Sequence, residues 1–168
     1  MDVEIDEACL ELLALFKPAA RDLRFITTAM KISTELERMS DLAENICERA
    51  IELNEEPQLK PYIDIPRMAD KAMLMVWNSL DSFVKWDSEL ARKVLDDDDE
   101  VDELTEQIFR ELLSFMIENP QTIPRAMRLS FIAKYIERIA DHATNIGELV
   151  VYMVEGRIIR HTIPSQME

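Results

Sequence analysis

The same acidic pattern occurs twice along this chain, one hundred residues apart. ELERMSDLAENI occupies residues 35–46 and YIERIADHATNI occupies residues 135–146. Both stretches contain the pattern E-R-x-x-D-x-A-x-N-I. Carboxylates at this spacing suit a hard cation, or iron, manganese or zinc with retained waters. The repeated residues are Glu37, Arg38, Asp41, Ala43, Asn45 and Ile46 in the first copy, and Glu137, Arg138, Asp141, Ala143, Asn145 and Ile146 in the second.

The repeated acids share one face of a helix. With about 100° between successive residues, Glu37 and Asp41 lie about 40° apart and opposite the apolar positions. The apolar residues change between the copies, whereas the acids do not. Carboxylates at i and i+4 repel by about 0.2–0.5 kcal/mol. Either the adjacent Arg38 and Arg138 or a bound cation offsets this repulsion.

A second acidic stripe precedes each motif. Asp98, Asp102 and Glu106 follow one another at intervals of four residues, and the shift of one hundred places Asp2 on Asp102 and Asp6 on Glu106. Each copy therefore has carboxylate stripes on two successive helices. If those helices pack antiparallel, we expect the stripes to converge into an oxygen-rich site.

Composition and charge favour an all-α protein that does not bind nucleic acid. The 168 residues include two glycines, many Met, Leu, Ala and Glu residues, and a net charge of −15. Such a chain repels nucleic acid and anionic membranes and attracts cations or basic partners. No apolar run is long enough for membrane insertion, and the acidic N-terminus does not resemble a signal peptide. We therefore predict a cytoplasmic protein, with Cys9 and Cys47 as core thiols.

The pattern of proline and apolar residues predicts five helices in two repeats. We expect helices over about 2–16, 20–53, 66–95, 101–117 and 123–155. The proline-rich stretch 55–66 is the linker, so the predicted units are residues 1–58, 63–160 and a tail over 161–168. The inward residues of the third helix are predicted to be Met75, Leu80, Phe83, Val84, Leu90 and Val94.

These motifs resemble the PhoU family of bacterial phosphate-uptake regulators. IDEACLELLALFKPAARDLRFI over residues 5–26 is similar to the first-repeat signature of that family, including P-x-A-x-D-L-R. The two E-R-x-x-D-x-x-x-N-I stretches resemble the paired motifs of the family. TIPRAM and VVYMVEGRIIRH resemble the start and end of its last helix. The similarity covers nearly the whole chain, and it is specific as a combination.

The resemblance implies a fold, a function and a set of site residues. The fold is a pair of tandem three-helix bundles. The function is that of a non-catalytic adaptor, which links the ATPase subunit of the phosphate ABC transporter to a sensor histidine kinase and damps phosphate-starvation signalling. The implied cofactor is a multinuclear iron or zinc cluster on the surface. The implied metal ligands are Glu37, Asp41, Asp98, Asp102, Glu137 and Asp141, with Asp2, Asp6 and Glu106 as additional candidates. The other motif residues are Asp22, Arg24, Arg38, Asn45, Arg138 and Asn145.

The sequence departs from the family pattern at its N-terminus. Family members begin with a helix that has no counterpart in this chain, through trimming or through a natural short form. The first bundle would then have two helices and an uncovered apolar surface. We therefore expect either a homodimer that covers this surface or poor solubility.

Two other functions agree with the same acids. A metal-storage or metal-dependent hydrolytic protein would use them as its working site, and a plain helical interaction module would leave them solvated. A ferritin-like oxidase is disfavoured because neither His142 nor His161 follows a glutamate by three residues. We interpret His142 as a core residue, and the chain has no recognisable nucleophile or phosphate loop. The sequence thus favours a protein that is not an enzyme.

Overall fold

The computed structural model describes residues 2–159, with the side chain of Asp2 excluded. This part of the chain forms six α-helices and a short 3-10 turn, and it contains no strand. None of these helices has the length and apolar character needed to cross a membrane. The helices are α1 (Asp2–Phe16), α2 (Ala20–Asn54), α3 (Asp64–Lys85), α4 (Ser88–Asp96), α5 (Asp98–Glu118) and α6 (Ile123–Glu155), with the 3-10 turn at Pro120–Thr122.

The two longest helices have the extents that the sequence predicted. No proline or glycine interrupts α2, so its hydrogen-bond ladder continues over 35 residues. At the end of α6, Gly156 adopts the left-handed conformation with φ of 71°, and its N–H donates to the Tyr152 carbonyl at 2.8 Å. A glycine at this position is the usual C-terminal cap, because a residue with a Cβ is disfavoured there.

The single helix predicted over residues 66–95 is wrong. Trp86 adopts a left-handed conformation with φ of 58° and ends α3. The Asp87 side chain then accepts hydrogen bonds from the backbone N–H groups of Glu89 and Leu90, both at 3.0 Å, and so begins α4. The second repeat therefore has four helices instead of three. Val84, predicted to face inward, is 73% exposed near the end of α3.

The core surrounds α6, which packs against α2, α3, α4 and α5. On one face of α6, Gly147 lies against α4. A Cβ at this position would be 2.7 Å from Leu95 Cδ1 and 3.0 Å from the Ala91 carbonyl oxygen. A larger residue would therefore push the two helices apart.

The equivalent face of α2 has no such cover. Ala143 and Gly147 are buried on α6, whereas Ala43 and Cys47, one hundred residues earlier, are exposed on α2. The prediction that Cys47 is a core thiol is therefore wrong. Cys9 is buried as predicted, and both cysteines are free thiols.

The first helix packs on a single neighbour. Within the described residues, α1 contacts α2 and no other helix. Several of its apolar side chains are more than half exposed, and these are Val3, Leu10, Leu15 and Phe16. The expected uncovered apolar surface is therefore present in the first repeat. Dimerisation or poor solubility as its consequence stays a prediction.

Candidate functional site

Four carboxylates of the second repeat influence one another across α5 and α6. Asp98 and Asp102 lie on α5, and Glu137 and Asp141 lie on α6. The α5 helix packs against both α3 and α6, so its acidic stripe is held beside the acidic motif of α6. We call these four residues the acidic cluster. The acidic stripes of these two helices therefore lie close enough for their charges to interact, whereas an oxygen-rich site formed by them stays a prediction.

Asp98 is the most strongly perturbed member of the acidic cluster. Burial, followed by the negative charges of Asp102 and Asp141, raises its pKa to about 6 from an ordinary value of 3.8. Asp99 and Glu137 act in the same direction with smaller effects. A carboxylate with a raised pKa holds its proton more tightly than usual, and its ionised form at neutral pH would gain from a nearby positive charge.

The other two aspartates are perturbed in the same direction. Burial, together with the charges of Glu137 and Asp141, raises the pKa of Asp102. Burial and Glu137 also raise the pKa of Asp141, against the opposing effects of nearby positive groups. Groups with perturbed pKa values are enriched at functional sites.

Glu137 is a largely enclosed carboxylate of the cluster. Its side chain is 16% exposed. Its Oε2 atom is buried without a hydrogen-bond partner, although Lys134 Nζ lies 2.5 Å away. The two groups are thus paired by charge but lack the angles of a hydrogen bond. The prediction that the repeated acids lie off the core holds for the exposed Glu37, Asp41 and Asp141, whereas Glu137 is half-buried.

The corresponding acids of the first repeat have different surroundings. Glu37 and Asp41 are exposed on α2, and Asp6 on α1 is half-buried. The charge of Asp6 acts instead on a neighbouring thiol, since burial and then Asp6 raise the pKa of Cys9. The side chain of Asp2 lies outside the described residues. The two copies of the motif are therefore not equivalent in their surroundings.

No group of three His, Cys, Asp or Glu side chains within residues 2–159 is arranged so that it could hold a metal ion. Glu106, an additional candidate, is exposed and lies 3.9 Å from the Arg110 side chain on the same helix. His161 lies outside the described residues. The predicted iron or zinc cluster therefore stays a prediction.

The remaining motif residues make contacts within α2 or between α2 and α6. Asp22 lies in the first turn of α2, where a negative charge is favoured. Arg24 Nε donates to the Met153 carbonyl oxygen at 3.2 Å, near the end of α6. Asn45 Nδ2 donates to the Asp41 carbonyl oxygen at 2.8 Å on its own helix.

A buried polar contact between the two motifs was missed by the sequence analysis. Glu35 Oε2 on α2 lies 2.6 Å from His142 Nδ1 on α6, and Asn145 Nδ2 donates to the same oxygen at 3.2 Å. The side chains of Glu35 and His142 are only 12% and 11% exposed. The expectation that His142 is a core residue is confirmed. A polar residue on an apolar face was the signal that a buried partner had to exist.

Comparison with known sequences agrees with this arrangement of repeats. A sequence model of the PhoU domain matches residues 1–50 and 65–150. The chain belongs to the PhoU family. The two matched segments each contain one copy of the acidic motif. The four helices of the second segment and the two of the first are thus a PhoU fold.

Individual PhoU relatives support the same conclusion. The chain is 50% identical over 161 residues to a "Phosphate-specific transport system accessory protein PhoU homolog" of Aquifex aeolicus, covering 96% of the chain and 73% of the relative. It is 40% identical to a protein of the same name from Pseudomonas putida, covering 96% of the chain and 63% of the relative. The crystal structure of PhoU from Pseudomonas aeruginosa superposes with a TM-score of 0.88 at 38% identity, covering 93% of the chain and 75% of that structure.

Proposed function

We propose that this PhoU-family protein is a regulator of phosphate uptake and of phosphate-starvation signalling. It acts in the cytoplasm as a non-catalytic adaptor between the ATPase subunit of a phosphate ABC transporter and a sensor histidine kinase. The observation that carries the proposal is family membership, because the matched relatives are named accessory proteins of the phosphate-specific transport system. The structure adds an acidic surface on which basic partner groups can act.

The acidic cluster is the part of the molecule that best suits such a contact. Its members lie on neighbouring helices, and three of them have pKa values raised by burial and by one another's charge. A lysine or arginine from a partner would relieve this repulsion, and the gain would be larger than at an isolated surface acid. In the first repeat Glu37 and Asp41 are exposed on α2, and within residues 2–159 α1 packs on α2 alone, so the second repeat is the preferred docking face.

The donor set of the acidic cluster also suits a metal ion. Glu137 Oε2 is buried without a hydrogen bond, and the four neighbouring carboxylates are the oxygen ligands that iron, zinc and hard cations accept. We propose that Asp98, Asp102, Glu137 and Asp141 hold iron or zinc when the protein binds metal. When bound, the metal would supply positive charge. Their side chains would have to draw closer together, because no three described donors are already grouped for one ion.

We also propose that the protein forms a homodimer. The apolar side chains of α1 that remain exposed support this proposal, since contiguous apolar surface is usually covered by a partner. The rival functions receive less support. A storage protein or a hydrolase would need preformed ligand groups, and a plain acidic module does not explain the perturbed cluster.

The proposed function is tested in a bacterium from which the resident PhoU gene has been removed. Expression of this chain should lower a phosphate-starvation reporter in phosphate-rich medium, since the adaptor restores repression. A variant with the acidic cluster neutralised should lose this effect, whereas a matched variant of the first repeat should keep it. The two variants are Asp98→Asn, Asp102→Asn, Glu137→Gln and Asp141→Asn in the second repeat, and Asp6→Asn, Glu37→Gln and Asp41→Asn in the first.

Two results would contradict the proposal at different levels. An unchanged reporter with the parent chain, expressed at a level confirmed by immunoblot, would argue against the regulatory function. Equal repression by the parent and the neutralised second-repeat variant would agree with the regulatory function but would show that the acidic cluster is not its site.

A further inference from the structure

A polar cavity lies on the seam between α2 and α6, apart from the acidic cluster. Its volume is about 300 Å³. It is lined by the arginine of each motif copy, Arg38 and Arg138, together with Asp41, Leu42, Asn45 and His142. The internal repeat thus brings the same arginine to one cavity from two sides.

Neither arginine is neutralised by a close ion pair. Arg38 Nη1 lies 3.9 Å from Glu35 Oε1, which is the outer limit of an ion pair, and its side chain is 61% exposed. Within residues 2–159, Arg138 forms no ion pair. Glu137, its neighbour in the motif, lies against Lys134 instead. The charge of Arg138 still opposes the raised pKa of Asp141, so this arginine offsets part of the repulsion in its own motif without a close ion pair.

Two polar groups beside the cavity have partners of their own. Glu35 Oε2 accepts from Asn145 and contacts His142 Nδ1. The Asn45 amide nitrogen donates to the backbone of its own helix. Within residues 2–159, no hydrogen bond engages either guanidinium group, so both retain their donors. Two like charges that share one cavity repel each other. An anion bound between them would attract both arginines and so offset this repulsion.

The geometry points to a binding site for a small tetrahedral oxyanion between Arg38 and Arg138. Each guanidinium presents a planar fork of N–H donors that matches the oxygens of phosphate or sulfate. The cavity is large enough for such an ion with several waters. The oxyanion is either a free inorganic ion or the phosphoryl group of a larger molecule. This inference does not depend on the proposed function, because it uses a different cavity and different side chains.

Asp41 opposes the binding of an anion and provides an internal check. Its carboxylate lines the same cavity as the two arginines. Replacing Asp41 with asparagine removes the opposing charge at almost constant volume. An oxyanion should therefore bind more tightly to this variant, whereas a cation held by Asp41 would bind less tightly.

The inference is tested by titrating the whole chain at low ionic strength with inorganic phosphate, sulfate and phenyl phosphate. Binding is followed through the NMR signals of the arginine side chains and the Asn45 amide. We expect saturable binding, weakened about tenfold by Arg38→Gln and by Arg138→Gln, since a charged hydrogen bond contributes at this scale. Asp41→Asn should tighten binding, and Arg110→Gln on the exposed face of α5 should leave it unchanged. Thermal unfolding by circular dichroism confirms that each variant is folded.

The three ions distinguish the two sources of the oxyanion. Saturation by phosphate or sulfate supports a site for a free ion, and saturation by phenyl phosphate alone supports a site for a phosphoryl group on a larger molecule. Absence of saturable binding for all three would overturn the inference. It would also be overturned if both arginine substitutions left the affinity unchanged, because the binding would then occur elsewhere.

Discussion

Replacing Glu35 with alanine should destabilise the protein by about 2–4 kcal/mol, because the change leaves buried polar groups without an acceptor. Glu35 Oε2 lies 2.6 Å from His142 Nδ1 and accepts from Asn145 Nδ2 at 3.2 Å. Both members of the Glu35–His142 pair are almost fully buried between α2 and α6. The measurement is the free energy of unfolding from urea denaturation at pH 7.

The internal repeat supplies the matched controls for this substitution. Leucine already occupies position 42, which is equivalent to His142. The double variant Glu35→Leu with His142→Leu should therefore recover much of the lost stability, since a buried pair is often replaceable by apolar residues. Glu37→Ala, an exposed change two residues along the same helix, should have little effect. Equal and small effects of Glu35→Ala and Glu37→Ala would show that the contact does not stabilise the seam.

Replacing Asp98 with asparagine should stabilise the metal-free protein at pH 8. The pKa of Asp98 is raised to about 6, chiefly by burial and then by neighbouring carboxylates. The folded chain therefore holds this proton more tightly than the unfolded chain, and ionisation above pH 6 costs folding stability. The expected gain is about 1–2 kcal/mol once solvent screening and the favourable charge in the first helical turn are discounted.

The stabilisation by Asp98→Asn should depend on pH, because only the ionised form of Asp98 destabilises the folded protein. The stabilisation by Asp98→Asn should be full above pH 6, decrease as the pH falls from 6 towards 4, and vanish below the ordinary pKa of 3.8. Urea denaturation at pH 8, 6 and 4 in the presence of a chelator measures it. Glu103→Gln, an exposed change on the same helix, is the control. A destabilised Asp98→Asn variant at pH 8 would contradict the crowding of the acidic cluster.

The two long helices were predictable because proline and glycine, which interrupt or end helices, are few in this chain. The α2 helix contains no proline or glycine, and Gly156 ends α6, so both extents follow from local sequence. The break at Trp86 was missed because a tryptophan in the left-handed conformation carries no such signal. The capping residue Asp87 is present in the sequence, but the apolar pattern on both sides of it predicts one continuous helix over residues 66–95.

The sequence predicted the carboxylates of the candidate site, but it did not predict their surroundings, because these depend on how the helices pack. The sequence repeats the carboxylates of Glu37 and Asp41 at Glu137 and Asp141, and it predicts two equivalent sites. In the second repeat, α5 is held against both α3 and α6, whereas among residues 2–159 α1 packs on α2 alone. The crowding of the acids depends on this difference in packing. The spacing of residues along the chain does not determine which helices pack together.

The contact of Glu35 with His142 was also beyond the sequence analysis. The two residues belong to different motif copies and are separated by 107 positions. Helical periodicity places each residue on a face of its own helix, but it does not give the register between α2 and α6. That register is set by the packing of the two long helices.

The most direct test of the proposed account is the binding of the purified chain to the isolated ATPase subunit of the phosphate transporter. The affinity is measured by biolayer interferometry for the parent, for the neutralised second-repeat variant and for the first-repeat variant, each with and without a chelator. The account predicts binding that is lost when the acidic cluster is neutralised and retained by the first-repeat variant. Loss of binding on chelation would additionally assign metal to the interface. Undiminished binding of the second-repeat variant would contradict the account.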